Sequence, residues 1–456
     1  MDNPSAEYFA SNAAVRSGVQ KYTTSRCVTC GASVPATVVV ESGQVYLDRE
    51  CPTHGAQRRC ISNDARFYHL SKGSCCADAN CCSTETATRD QFQTLSTCLA
   101  LIEIVDSCNL ACPTCFADSP QSREVAHVPL ADFQRRVSDV IRAKGKIEVL
   151  QLSGGEPTLH PQFFELLEWC QQNDGIEYIL INTNGVRLAK DAAFARELDR
   201  VYRRRKLQLY LQFDGTQETG QKELRGADLR ATRQRAIEVA GAFEGGGLPI
   251  TLAMTVTNTT INHVWDAIEF GLRYPNVRGV AFQPFFTSGR APVKQNDAPI
   301  NTADVIHALV AQANGALSFD DFTPLPCGDP NCATIGYLLK TAAGLRSVSE
   351  FVDFSQLQGF LHDRVNYSLA DLAQCGCDSE PLGALLKKFE LDESKTFRLF
   401  IKPFMDANTW DDDRIDRCCT HVIRPDGKLD SFCRYYSGLP GTWHGPKSAT
   451  RTLAAR

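Results

Sequence analysis

Three cysteines, Cys108, Cys112 and Cys115, stand in the loop Asp106-Ser107-Cys108-Asn109-Leu110-Ala111-Cys112-Pro113-Thr114-Cys115-Phe116, a C-x3-C-x2-C spacing. Three thiolates within eight residues can wrap one corner of an iron–sulfur cube and leave the fourth iron without a protein ligand. An open coordination position separates a metal site that does chemistry from one that only holds structure. The competing use is a zinc knuckle with a distant fourth ligand. The position of the loop weighs against it, because the loop follows a strand-like run, and α/β folds place active sites at the C-terminal ends of their strands. The next such run closes in Ser153-Gly154-Gly155-Glu156-Pro157-Thr158. Two glycines there allow close backbone approach to a ligand, and the proline fixes the exit.

These loops need a scaffold, and the middle of the chain supplies a repeated βα pattern. Strands are predicted at Leu101–Asp106, Ile147–Ser153, Ile176–Asn182, Leu207–Asp214, Ile250–Thr257 and Val277–Phe285. Helical patterns separate them: ADFQRRVSDVIRAK, PQFFELLEWCQQ, RLAKDAAFARELDRVYRR, DLRATRQRAIEVAGAF and HVWDAIEFGLRY. Right-handed crossovers then give a parallel α/β sheet, either open and doubly wound or a partial barrel. Two further strand ends carry small polar groups, Asn182-Thr183-Asn184-Gly185 and Gln212-Phe213-Asp214-Gly215. The same residue types also favour plain turns and helix caps. Gln283, Pro284 and Arg290 follow the sixth strand.

The flanks are metal-rich. The 456 residues hold 20 cysteines. The start, MDNPSAEYFA, lacks the basic and apolar regions of a secretory signal, so a cytoplasmic chain with reduced, metal-binding thiols is expected. Cys27-Val28-Thr29-Cys30 and Cys51-Pro52-Thr53-His54-Gly55 are knuckles 20 residues apart, the spacing of a zinc-ribbon or rubredoxin-like site for one Zn or Fe. Its fourth ligand is His54 or Cys60. A second group is Cys75, Cys76, Cys81 and Cys82. A third is Cys327, Cys332, Cys418, Cys419 and Cys433, in which a Pro-Asp-Gly hairpin brings Cys418 or Cys419 towards Cys433. Cys98, Cys170, Cys375 and Cys377 are left over, and Cys170 reads as a packed core thiol. The expected divisions are a tail (1–20), the metal ribbon (21–70), a cysteine-rich linker (71–100), the βα region (101–290) and a C-terminal metal region (291–456). A net charge of −5 argues against nucleic acid as a partner, and no apolar run reaches the roughly 18 residues of a membrane span.

The pair CNLACPTC and SGGEP resembles the radical S-adenosylmethionine (radical SAM) superfamily, whose fold is a partial (βα)6 barrel. The resemblance covers Leu101 to Arg290. It implies that Cys108, Cys112 and Cys115 hold a [4Fe–4S] cluster whose free iron is chelated by the amino and carboxylate groups of SAM. It further implies that Gly154, Gly155 and Glu156 meet the methionine amine, and that strand-end residues such as Asn182, Asn184, Gln212 and Asp214 face the cofactor. The aromatic residue that many members carry just before the last cysteine is Thr114 here, and Phe116 follows instead. The CPxHG knuckle, CNLxCPxCFA, GGEP, Leu211–Gly215 with Leu224–Gly226, and the terminal CxH…DG…FCxY pattern are similar to the archaeal tetraether lipid synthase group and its bacterial relatives. Some members of that group are also described as pterin methyltransferases. This wider likeness spans residues 20–440 and implies one or two auxiliary [4Fe–4S] clusters. Cys327, Cys332, Cys418 or Cys419, and Cys433 would hold one, and the doubled pairs at 75–82 the other.

The expected activity is therefore reductive cleavage of SAM to a 5′-deoxyadenosyl radical. Hydrogen removal from an unactivated carbon follows, leading to C–C bond formation on a lipid-like substrate. A reductant such as flavodoxin or ferredoxin is implied, and a lipid substrate would bring peripheral contact with the inner membrane face. Tyr8, Phe9, Phe285, Phe286, Phe351, Phe354 and Phe360 are candidates for an apolar tunnel, and Arg203–Lys206 for headgroup contact; ordinary core and a solvated helix end are the plainer readings. The nearest rivals are a pterin-type methyltransferase or a peptide-modifying maturase, whose soluble substrates need a polar pocket. A non-catalytic zinc and iron–sulfur scaffold or redox sensor would leave SGGEP unexplained. Residues 291–326 and 333–400 show helical patterns, among them TIGYLLKTAAG and PLGALLKKFE. His127, His160, His263 and His307 have no partner visible in the sequence.

Overall fold

A computed structural model describes residues 17–70, 97–122, 125–202, 207–291, 299–325, 328–341, 344–350 and 395–439. The first sheet is an antiparallel meander of β1 (Gly18–Arg26), β2 (Ser33–Glu41), β3 (Gln44–Cys51) and β4 (Gly55–Ser62). Its logic is period two: Val34, Ala36, Val38 and Val40 of β2 are buried and alternate with more exposed neighbours. Ala36, Val38 and Val40 pack with Val45, Leu47 and Tyr68 into a small core of their own, while Val34 packs with Cys27 and Cys51. Ser42 and Gly43, at φ 52° and 78°, make the tight two-residue β2–β3 hairpin.

The second sheet is built on β5 (Leu99–Val105), β6 (Ile147–Gly154), β7 (Ile176–Thr183), β8 (Leu207–Gln212), β9 (Ile250–Val256) and β10 (Val277–Pro284). All six are parallel and lie side by side in chain order. A doubly wound sheet needs a reversal of strand order, so that alternative is excluded. The crossover helices are α1 (Leu130–Lys144), α2 (Phe163–Gln172), α3 (Val186–Lys190), α4 (Ala192–Tyr202), α5 (Gln221–Arg225), α6 (Arg230–Gly241) and α7 (Val264–Leu272). In α1 the buried residues Phe133, Val137 and Val140 recur at spacings of four and three, which keeps one stripe against the sheet.

C-terminal strands extend both edges. β14 (Thr396–Ile401) pairs in parallel with β10, and β11 (Thr323–Pro324), β12 (Thr334–Thr341) and β13 (Gly344–Ser347) continue beyond it. At the other edge β15 (Thr420–Ile423) pairs in parallel with β5 and turns back into β16 (Leu429–Ser431). The two flanks meet: Lys402 Nζ, just past β14, donates to Thr420 Oγ1 of β15 at 3.1 Å. The sheet therefore curls, and inward-facing residues from β5 to β10, β14 and β15 border one cavity.

The six predicted strands agree with these bounds to within two residues at each end. The expected single helix RLAKDAAFARELDRVYRR is two helices, because Asp191 breaks it and accepts from Ala193 N and Phe194 N at 3.0 Å to cap α4. TIGYLLKTAAG is not helical: it forms β12, buried on both faces, and such a run carries no period to read. Residues 291–326 do contain a helix, α8 (Thr302–Gln312). PLGALLKKFE lies outside the described residues.

Candidate active site

The cysteine loop leaves the C-terminal end of β5 and is fastened from three sides. From β6, Gly155 N donates to Val105 O at 2.9 Å and Glu156 N to Ser107 O at 3.0 Å. A Cβ on Gly154 would lie 2.1 Å from Val105 O, and one on Gly155 2.0 Å from Ser107 O. The backbone that the two glycines make room for is thus that of the cysteine loop, where the sequence suggested a ligand; both still border the cavity. From the end of β10, Arg290 exchanges backbone hydrogen bonds with Cys115 at 2.8 and 2.9 Å, and its Nε donates to Cys112 O at 2.7 Å. From α5, Arg225 Nη1 donates to Thr114 O at 3.3 Å.

Arg225 is the centre of a buried pair. Its Nε and Nη2 meet Asp214 at 2.6 and 2.8 Å, and Nη2 also reaches Thr255 Oγ1 at 2.8 Å. Burial pushes the Asp214 carboxyl up, but Arg225 outweighs it and holds the group below the ordinary carboxylate range. Gln212 Oε1 accepts from the buried Arg233 at 2.6 Å. Asp214 and Gln212 therefore organise the floor under the loop through two arginines.

Glu156 is also committed. Its Oε1 accepts from Thr158 Oγ1 and Thr183 Oγ1, both at 2.7 Å, and its Oε2 from Asn184 N at 2.7 Å. Burial raises its pKa, and these bonds only partly offset the rise. The result ties the end of β6 to the end of β7 and sets Asn184, whose Nδ2 donates to Asn109 Oδ1 at 2.6 Å and approaches Cys108 Sγ at 3.8 Å. Asn182 Nδ2 donates to Ser153 Oγ at 3.2 Å and borders the cavity.

The cavity measures ≈ 270 Å³ and is bordered by all three cysteines of the loop. Burial, with Glu156 and the other two cysteines, pushes the Cys108 thiol up to about 12, and burial also raises Cys112. Crowded, desolvated thiols of this kind ionise only against a cation. Beside them, the buried Thr114 Oγ1 has no hydrogen-bond partner. Three thiols, an orphaned hydroxyl and an adjoining cavity fit a cationic cluster with one open position.

The N-terminal ribbon is arranged differently. The ligand atoms of Cys27, Cys30, Cys51 and His54 all lie within 4.8 Å of one another, the one such group among the described residues. His54 Nδ1 is 3.5 Å from Cys51 Sγ and 3.6 Å from Cys27 Sγ. Burial pushes Cys27 up, but the N–H groups of Cys30 and Thr29 bring it down to about 6. Cys60 sits apart on β4, its thiol on Ser62 O at 3.4 Å. Of the two alternatives, the geometry selects His54.

Near the C-terminal flank, Met405 N donates to Cys433 Sγ at 3.3 Å and Arg414 Nη2 to Cys332 Sγ at 3.7 Å. Burial raises Cys418 to about 11, with the Cys332 charge adding to it, and Cys433 to about 12, with Cys418 adding. Cys332, Cys418, Cys419 and Cys433 are thus electrostatic neighbours, and Cys419 also borders the cavity. Cys75, Cys76, Cys81, Cys82, Cys327, Cys375 and Cys377 lie outside the described residues.

Two residues that matter here had only faint signals. Arg225 belongs to the LRG stretch, but its partner Asp214 is visible only in three dimensions. Lys402 follows the alternating TFRLFI, a strand pattern in a segment read as helical.

A curled parallel sheet with an open three-cysteine loop over its cavity is the arrangement expected of a radical SAM enzyme, and the chain carries a radical SAM domain. Residues 102–271 match the radical SAM superfamily model, and residues 19–63 match the HMPTM N-terminal zinc ribbon domain. A 7,8-dihydro-6-hydroxymethylpterin dimethyltransferase of Methanocaldococcus jannaschii is 26% identical over 493 residues, covering 91% of this chain and 93% of that one. Among solved structures, SuiB of Streptococcus suis bound to S-adenosylmethionine is 16% identical with a TM-score of 0.38, covering 48% of this chain and 47% of that one. The methyltransferase TsrM of Kitasatospora setae is 12% identical with a TM-score of 0.30, covering 61% and 51%. The chain spans about half the length of these two structures. Radical SAM enzymes work with a [4Fe–4S] cluster and SAM and need a reductant. No helix of the described residues is long and apolar enough to cross a membrane.

Proposed function

We propose that this enzyme transfers a methyl or related carbon group to a small polar heterocycle of the pterin kind. A band of polar side chains within an otherwise largely apolar cavity carries that reading. Gln151, Gln208, Tyr210 and Gln283 all face into it. Tyr178 Oη donates to Gln208 Oε1 at 3.1 Å, Gln208 Nε2 to Thr251 Oγ1 at 2.5 Å, and Gln283 Nε2 to Tyr210 Oη at 2.7 Å. Gln151 is nine-tenths buried and its side chain borders the same cavity. Gln208 and the Gln283 amide N–H are paired within the protein, so an alkyl chain would strand only the polar groups left over, such as Gln283 Oε1 and the Gln151 amide, at roughly 1–3 kcal/mol for each unpaired group. A ring with alternating donors and acceptors would pair them. The name of the Methanocaldococcus relative supports the same substrate class.

A [4Fe–4S] cluster with SAM, when bound, would supply one-electron cleavage to methionine and the 5′-deoxyadenosyl radical, fed by a reductant such as flavodoxin or ferredoxin, and the methyl would come from a second SAM, which leaves as S-adenosylhomocysteine. Cys108, Cys112 and Cys115 would hold the cluster. Gly154 and Gly155 keep the loop against β6, Glu156 orients Asn184 towards it, and Asp214 acts through Arg225 on Thr114. Phe116 packs on Phe432 and Tyr436 at ring distances of 5.5 and 4.9 Å, which excludes water behind Cys115. Cys27, Cys30, Cys51 and His54 would hold one Zn or Fe in a closed, structural site. Cys332, Cys433 and either Cys418 or Cys419 are the described ligands for one auxiliary [4Fe–4S] cluster, with Cys327 as the candidate fourth. A second cluster on Cys75, Cys76, Cys81 and Cys82 rests on sequence alone.

C–C coupling on a lipid-like substrate at the inner membrane face is the rival. It calls for an apolar tunnel. Phe285 and Phe286 border the cavity, but Tyr8, Phe9, Phe351, Phe354, Phe360 and Arg203–Lys206 lie outside the described residues. The test is anaerobic: iron-loaded protein receives SAM, dithionite and either 7,8-dihydro-6-hydroxymethylpterin or an archaeal-type lipid extract. Methylated pterin by mass spectrometry is the expected product; turnover of lipid alone would overturn the assignment.

A further inference from the structure

Two side chains on the cavity wall are fixed to one another and still only partly used. Gln283 Nε2 of β10 donates to Tyr210 Oη of β8 at 2.7 Å, and both residues border the cavity. The bond spans β9. Ala253 of β9 pairs with Gln212 of β8 and with Ala281 of β10, and both alanines border the cavity, too short to cover the bond. Because the Tyr210 oxygen accepts, its own proton is left to give. Burial pushes the phenol pKa up, so that proton stays in place. The Gln283 amide N–H is used in the bond, and its Oε1 is left over as an acceptor among the described residues. One donor therefore stands beside one acceptor. Turning the amide over would exchange the two roles and keep the count. Tyr210 lies two residues before Gln212 on the same face of β8, one step further from the cysteine loop than the floor that Gln212 and Asp214 organise.

We propose that Tyr210 and Gln283 are specificity residues that read a cyclic amide of the substrate. The ring N–H meets Gln283 Oε1, and the neighbouring ring C=O accepts from Tyr210 Oη. This rests on the pterin reading above and sharpens it, since the pyrimidine half of a pterin carries such an edge. The adenine of SAM also places a donor beside an acceptor, so the same chemistry has two sources, and the experiment separates them.

The probes are 7,8-dihydro-6-hydroxymethylpterin and its derivative methylated on the amide nitrogen, which has lost the N–H. Each is titrated anaerobically by calorimetry into the full-length, cluster-loaded protein. The native protein should bind the parent about tenfold or more tighter than the methyl derivative. Tyr210→Phe, which keeps the ring, should weaken binding of the parent about tenfold. Gln283→Leu should weaken it likewise and abolish the preference between the two ligands, a coupling that a general loss of structure would not give. SAM affinity, measured by equilibrium dialysis on the same preparations, should be equal in all three proteins. A fall in SAM affinity in either variant would assign the pair to adenine and overturn the proposal. Equal native affinity for both ligands, or native discrimination retained in Gln283→Leu, would overturn it too, and methylation of the parent would then leave the pterin reading standing. If neither ligand binds, the pterin reading fails and this assignment falls with it.

Discussion

The ribbon knuckle and the Cys108 loop use the same side chains for opposite ends. In the ribbon, four ligand atoms converge within 4.8 Å at the tips of two hairpins, a closed set that leaves an ion no free position. In the loop, three thiols face a cavity of ≈ 270 Å³ and are braced from β6, β10 and α5. Cysteine spacing alone does not separate these outcomes. What differs is the neighbourhood: N–H groups that bring Cys27 down to about 6 in one, burial that pushes Cys108 up to about 12 in the other. A structural site is satisfied by its own hairpins, whereas a reactive one is left in need of something from outside.

The sharpest way to break this contrast is to remove the thiols of each site in turn. Replacing Cys108, Cys112 and Cys115 with alanine should reduce 5′-deoxyadenosine formation to background under anaerobic, reduced conditions. Nucleoside persisting in that triple variant would sink the catalytic assignment. Next in size is Asp214→Asn, which leaves Arg225 buried without its counter-charge. Urea unfolding should show a loss of about 3–5 kcal/mol, with iron content falling as the loop loosens. Gly155→Ala should follow, because its Cβ would lie 2.0 Å from Ser107 O. A loss of about 1–3 kcal/mol is expected, together with a changed cluster spectrum. The smallest effect on the radical step should come from His54→Ala. Elemental analysis should show the ribbon metal lost, while deoxyadenosine formation stays close to native. Equal damage from His54→Ala and the triple variant would erase the distinction between the two sites.

Much of this could be read from the chain. The strands β5 to β10 were legible because each is a short β-branched run between amphipathic helices, and the two sites because their cysteines cluster locally. The interactions that arm the loop were not legible to the same degree. Gly154 and Gly155 look like a ligand cradle in one dimension, and only the proximity of Val105 and Ser107 shows which backbone they accommodate. Glu156 and Asp214 look like groups awaiting a cofactor, yet each is consumed by protein partners. β12 escaped because burial on both faces removes the alternation by which a strand is recognised. Lys402 escaped because its neighbour Thr420 sits at the opposite edge of the sheet, a relation that exists only once the sheet has curled.

The closing of the sheet by β14 and β15 also sets an order of events in the life of the chain. Both strands come from the final part of the sequence, so a nascent chain carries the cysteine loop and SGGEP long before it has the wall opposite them. During that interval β5 and β10 present unpaired edges, and the thiols face water instead of a cavity. Iron loaded then would sit on an oxygen-exposed half-bowl. Iron loading is therefore best served once β14 and β15 have joined the sheet, and truncations that spare every loop motif but end before Thr396 should purify as iron-poor, association-prone protein.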